Sequence, residues 1–117
     1  MTAPPRNHSA TTSCRAFQHA VELIGRRWSG AILYEMFGGA SRFSEIRDRV
    51  PGLSDRLLSQ RLRELEAEGL VAREVIPEVP VQVHYTLTES ARELLPAIHL
   101  LVEWGHKWLR ASSPVTS

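Results

Sequence analysis

The run of residues 43–88 constrains this chain most, because helical and then strand-like apolar periodicity follow one another there with only short turns between. Phe43, Ile46 and Val50 recur at steps of three and four, which predicts a short helix over 44–50 that Pro51-Gly52 ends. Ser54 is placed to cap a second helix over 54–68, with Leu57, Leu58, Leu62 and Leu65 on one side and Gly69 as its stop. Two strand-like segments come next, 70–76 and 81–88, the second alternating strictly through Val81, Val83, Tyr85 and Leu87. Pro77-Glu78-Val79-Pro80 lies between them and predicts a hairpin with a stiff tip. A short helix, a tight turn with glycine and a longer helix make a helix-turn-helix, and the hairpin beside it is a wing.

The flanks supply the remaining elements. Phe17, Ala20, Val21 and Ile24 give a helical pattern that begins at 13 or 14 and stops at Gly25. A second helix starts near Ser29, carries Ala31, Ile32, Leu33, Tyr34 and Met36, and ends at Gly38-Gly39. Thr88 caps a long final helix whose stripe is Ala91, Leu94, Leu95, Ile98, Leu101, Val102, Gly105 and Leu109, and Pro96 is expected to kink or divide it. Residues 1–12 are polar, proline-bearing and aperiodic, and are predicted as a flexible arm; 111–117 are predicted as a tail. The expected fold is mainly α with a small β-hairpin (α+β), a winged helix-turn-helix over 13–110 with flanking helices.

Composition excludes other classes. At 117 residues the chain holds one modest core, and an apolar fraction of 43% rules out disorder throughout. No apolar run approaches the ~20 residues that span a bilayer, and the first twelve residues lack an apolar export core, so a cytoplasmic location away from membranes is expected. The lone Cys14 excludes an intrachain disulfide framework and a cysteine-rich zinc site. The five histidines, 8, 19, 84, 99 and 106, lack metal-ligand spacing. No acid pair, nucleophile with a partnered base or phosphate loop stands out, so neither an enzyme nor a cofactor is predicted.

The net charge of +1 conceals an uneven distribution. Residues 41–63 hold six arginines (42, 47, 49, 56, 61 and 63) against Glu45, Asp48 and Asp55, whereas 64–80 hold five glutamates against Arg73. Such a local field steers polyanions even when the total is near zero. On a helical wheel of 54–68, Leu58, Leu62 and Leu65 fall within about 60° of one another. Opposite them stand Arg56, Ser59, Gln60, Arg63 and Ala67, a face with no acid. Arginine, glutamine and a hydroxyl pair with base edges and phosphates, so this face, with Ser54 at its start, is the candidate reader of duplex DNA; a merely solvated face is the alternative. Glu64 and Glu66 lie toward the flanks of the C-terminal half, which fits a helix that enters a groove by its first turns. Arg61, near the apolar edge, either reaches a phosphate or pairs with a nearby carboxylate. Arg26 and Arg27 offer a phosphate cradle at the next helix start. On the hairpin, Gln82 and Arg73 are the nearest polar candidates, against a plain turn that touches nothing.

The succession Cys14, then LIGRRWSGAILYEM, then RFSEIRDRVPGLSDRLLSQRLRELEAEGLVAREVIPEVPVQVHYTLTESARELLP, then Trp104-Gly105, closely resembles the HxlR-type winged-helix regulators, relatives of the MarR-like repressors. The resemblance implies a homodimeric regulator of bacterial genes whose outer helices form the dimer interface. Its two recognition helices would enter successive major grooves of a pseudo-palindromic operator. Ser59, Gln60 and Arg63 fall where the family's groove-reading side chains lie. Gln82 is a departure, since members usually carry arginine or lysine there, and its neutrality removes the expected minor-groove cation. Several members respond to oxidants or electrophiles through a cysteine at the place of Cys14. Here Cys14 is predicted at a helix N-terminus beside Arg15, both favouring thiolate, against the alternative of a small apolar residue without a role. A single cysteine leaves a Cys14–Cys14 bond between subunits, a mixed disulfide with a small thiol, or alkylation. Trp28, Trp104 and Trp108 either line an aromatic effector pocket or, more ordinarily, serve the core and the dimer interface; the sequence names no effector. A winged helix used as a protein-interaction module is the competing function, and it predicts an apolar or acidic outward face on 54–68.

Overall fold

A computed structural model describes residues 3–109 of the chain, with side chains from Thr12 onward. Its elements run α1 (Ala3–Gly25), α2 (Ser29–Phe37), α3 (Phe43–Arg49), α4 (Asp55–Ala67), β1 (Val71–Ile76), β2 (Gln82–Leu87) and α5 (Glu89–Trp108). This is the winged helix-turn-helix order that the periodicities predict.

Local chemistry explains each boundary of the central motif. The Ser54 hydroxyl accepts the Leu57 amide at 3.1 Å and so caps α4. At its other end Gly69 takes φ +80°, and the Leu70 amide donates to Leu65 O at 2.9 Å while the Gly69 amide donates to Glu66 O at 3.0 Å. This paired closure satisfies two orphan carbonyls and brings buried Leu70 toward buried Leu65. Gly52, between α3 and α4, takes φ +89°, and a Cβ there would lie 3.4 Å from the Trp28 ring. The turn therefore needs glycine for its left-handed backbone, while the ring leaves room for a Cβ in ordinary contact.

The hairpin pairs antiparallel from Val71 opposite Leu87 to Ile76 opposite Gln82. Its other neighbour is the chain entering α3, where Ser41 O accepts the Tyr85 amide at 2.7 Å. Thr88 closes the base: its hydroxyl donates to Gly69 O at 2.6 Å and accepts the Ala91 amide, capping α5. The wing is thus tied at its root to both helices of the motif.

One core joins α2, α3, α4, β1 and α5, with Ile32, Leu33, Ile46, Leu58, Leu62, Leu65 and Val71 almost fully buried at its centre. Burying each such side chain contributes about 1.5–3 kcal/mol before entropy. α1 adds only the partly buried Leu23 and Ile24, near its C-terminal end. The radius of gyration is 17.3 Å, against about 13 Å for a compact domain of this length.

Several expectations are corrected. The stretch read as a flexible arm is helical backbone from Ala3, because Pro4 and Pro5 fall in the first turn, where their missing amides cost nothing. Cys14 consequently lies well inside α1, three turns from its start, and the N-terminal dipole argument for its thiolate lapses. Pro96 does not divide the last helix, which continues from Glu89 to Trp108. Of the three tryptophans, Trp28 packs against the core, and Trp104 and Trp108, 55% and 64% exposed in the single chain, keep the interface alternative. The strand alternation is buried only at the hairpin base, since Val75 and Val81 are exposed. Residues 111–117, read as a tail, lie outside the described residues.

Candidate nucleic-acid interface

α4 presents Leu58, Leu62 and Leu65 to the core, so its opposite side faces solvent by geometry. Arg56, Gln60 and Arg63 are exposed and Ser59 is half-buried. Arg56 makes no hydrogen bond or ion pair among the described residues. Arg63 Nη1 donates to Ser59 Oγ at 2.9 Å, one turn back, which holds its guanidinium along the helix. Gln60 Nε2 donates to Glu64 Oε2 at 3.3 Å. Arg56 and Arg63, seven residues apart, stand on the same line of the helix surface. Asp55, in the first turn, is balanced by Arg47 at 3.4 Å. The structure thus brings four predicted residues onto one face and occupies a fifth, Ser54, as a helix cap.

Glu64 is the residue that sequence reasoning undervalued. Its carboxylate meets Arg26 at 3.0 Å and Arg61 at 3.2 Å, besides Gln60. Burial pushes its pKa up, but hydrogen bonds from Arg26 and Gln60 and the charges of Arg26 and Arg61 outweigh this and hold it below the ordinary value. The spacings Arg61–Glu64 and Gln60–Glu64 were the available signal, since side chains three and four apart meet on a helix.

This hub takes up two of the candidate cations, and for Arg61 it is the carboxylate alternative that the geometry shows. Arg61 is only 13% exposed, and its Nε donates to Arg27 O at 2.9 Å while Nη1 meets Glu64. Its guanidinium fastens α4 to the α1–α2 junction and does not project toward a phosphate. The Arg26–Arg27 cradle does not form either, because Arg26 is drawn to Glu64 and Arg27 lies 5.1 Å over the Trp28 ring. Of that pair, Arg27 alone remains exposed and without a carboxylate partner among the described residues.

The wing holds a second arrangement. Gln82 Oε1 accepts Arg42 Nη2 at 2.8 Å and lies 3.2 Å from His84 Nε2. Arg42 is the N-cap residue of α3, in extended backbone. Its amide and that of Ser41 both donate to Glu45 Oε1 at 3.0 Å. These two backbone bonds, helped by the charges of Arg42 and Arg49, outweigh the upward push of burial and hold the Glu45 carboxyl below its usual value. Arg73, the other polar wing candidate, is exposed on β1 opposite Tyr85. Cys14 is exposed on α1 beside Phe17, Gln18 and Val21. Among the described residues, no three His, Cys, Asp or Glu side chains gather as a metal site, and no helix is long and apolar enough to cross a membrane.

Comparison with known proteins agrees with this architecture. A family model described as HxlR-like helix-turn-helix matches residues 23–113. The HTH-type transcriptional regulator YvaP of Bacillus subtilis is 42% identical over 99 residues, 85% of this chain and 92% of its own. YodB, an HTH-type transcriptional regulator of the same organism, is 36% identical over 104 residues, 89% and 93% of the two chains. Among solved structures, the redox regulator HypR in its reduced form superposes with a TM-score of 0.74 at 41% identity, covering 79% of this chain and 91% of its own. YvaP and YodB are HTH-type transcriptional regulators, and the superposition on HypR shows that the fold is shared. The chain belongs to the HxlR-like helix-turn-helix family and is a transcriptional regulator of the helix-turn-helix type.

Proposed function

We propose that the chain works in the cytoplasm as a homodimer that binds duplex DNA at a pseudo-palindromic operator, with one α4 in each of two successive major grooves. The observation that carries this reading is the outward face of α4. Arg56 and Arg63 are free of carboxylates there, and Ser59 and Gln60 stand between them. Arg56 and Arg63 meet phosphate or guanine, Ser59 and Gln60 meet base edges, and Arg27 meets the backbone beside the groove. Ser54 contributes by fixing the helix start. An apolar or acidic face, which a protein-interaction module would need, is not what α4 presents.

The dimer rests on a separate observation. Phe17 and Val21 on α1 and Leu101, Trp104 and Trp108 on α5 form exposed apolar stripes, with Phe17 71% exposed. A monomer leaves them in water, and a second copy covers them.

The test is fluorescence anisotropy of a labelled duplex titrated with the protein at several salt concentrations. Binding weakens steeply with salt if phosphates are neutralised. Arg63→Ala and Gln60→Ala each weaken it by about 1–3 kcal/mol while thermal melting is unchanged. No binding at low salt refutes the DNA reading, and unchanged affinity in both variants refutes the assigned face.

The redox character of HypR favours a second reading, in which Cys14 senses oxidants or electrophiles. Its exposure permits attack, and its place one turn before Phe17 on α1 puts any adduct beside the stripe that the dimer would bury. Affinity before and after diamide is compared with that of Cys14→Ser; identical responses end the sensor reading.

A further inference from the structure

The hairpin has little positive charge of its own toward its tip. Between Pro77 and Val81 its only charged residue is Glu78, and Glu74 stands opposite His84 in the ladder. Arg73 lies nearer the base, opposite Tyr85. Taken alone, the outer half of the wing would repel a polyanion.

A cation reaches it from another element. Gln82 is the outermost paired residue of β2, opposite Ile76, and its amide oxygen takes the Arg42 guanidinium at 2.8 Å. Ser41 makes this reach possible, because its carbonyl is bonded to the Tyr85 amide and lays the start of α3 along β2. Arg42 is exposed, and no carboxylate lies within 4 Å of its guanidinium among the described residues. The nearest acid on its own element, Glu45, points its Oε1 at the two backbone amides. The residue that fixes Arg42 is neutral, so the guanidinium is oriented without its charge being cancelled. A glutamate in that position would orient it equally well and neutralise it.

We propose that Arg42, held by the neutral carbonyl of Gln82, is the cation through which the wing side of the domain engages the DNA backbone, with Gln82 as its positioning residue. The proposal rests on the DNA-binding reading and extends it to an element that has no cation of its own at the tip. Arg42 starts the first helix of the helix-turn-helix, the helix that crosses the phosphate backbone when the second occupies the major groove.

The experiment is a salt titration of duplex binding with the full chain. Arg42→Gln binds about tenfold more weakly, and the slope of log affinity on log salt falls by about 0.9, the value for one phosphate contact. Arg42→Lys keeps the slope. Gln82→Glu pairs the guanidinium in place and lowers the slope as Arg42→Gln does, which tests the charge without removing Arg42. Gln82→Leu weakens binding at unchanged slope, and its effect disappears in the Arg42→Gln background; persistence there overturns the positioning role. A wild-type slope in both Arg42→Gln and Gln82→Glu overturns the proposal. Arg63→Ala run in parallel separates the failures. If it weakens binding while the Arg42 and Gln82 variants do not, only this inference falls, whereas a wild-type protein that does not bind DNA at all removes both.

Discussion

Arg61 sits on the same helix as Arg56 and Arg63, yet removing it should damage the fold and spare the electrostatics of DNA binding. Its guanidinium makes two charge-assisted contacts, to Arg27 O at 2.9 Å and to Glu64 at 3.2 Å, with the side chain only 13% exposed. A hydrogen bond involving a charged group contributes about 1.5–3 kcal/mol, and its loss also leaves the Arg27 carbonyl without its donor. Glu64 keeps Arg26 at 3.0 Å, so its carboxylate is not stranded and the larger penalty for an unpaired buried charge does not apply. Arg61→Ala therefore costs about 2 kcal/mol, which lowers the melting temperature by about 8 °C for a chain of this size. Urea unfolding followed by tryptophan fluorescence at fixed protein concentration measures it, with the salt slope of duplex binding recorded alongside. Arg61→Lys does not rescue, because a single ammonium cannot span the two acceptors as the planar fork does. A stability within 0.5 kcal/mol of wild type, with a salt slope reduced by about one, would refute the structural assignment and return Arg61 to the DNA contacts.

Three further outcomes are expected. Gly69→Ala destabilises by about 1 kcal/mol in thermal melts, because φ +80° strains any residue with a Cβ although no atom crowds the space. Glu64 has a folded pKa below its unfolded one, so its ionised form stabilises the fold at neutral pH and that support is lost as pH falls from about 4.5 through the depressed value; Glu64→Gln is less stable at pH 7 and shows a shallower acid loss in urea titrations across pH. Trp104→Glu places a charge on the exposed α5 stripe and yields monomers by sedimentation, with weaker operator binding; an unchanged dimer moves the interface elsewhere.

The sequence made the central motif legible because its signals are local. Ser54, Gly52, Gly69 and Thr88 each act on backbone within a few residues, and the leucine spacing of α4 states which side is buried. What escaped was long-range or depended on one distant partner. The Arg42–Gln82 bond joins residues forty apart, and Arg61 finds its acceptor thirty-four residues away on the Arg27 carbonyl. No periodicity reports such pairings, so Gln82 reads as a missing cation and Arg61 as an undecided one. The start of α1 was missed for another reason: two prolines and a polar run look like a linker, although prolines in a first turn are compatible with helix.

The bonds Arg26–Glu64–Gln60 have a mechanical consequence. α1 is about 34 Å long, and it meets the rest of the domain through its C-terminal part, where Leu23 and Ile24 pack on the core and His19 lies 3.9 Å from Glu68. Arg26 follows that helix immediately and grips the carboxylate that orients the Gln60 amide. Arg26 and Gln60 thus share one carboxylate, which ties the residue that follows α1 to a side chain on the outward face of α4.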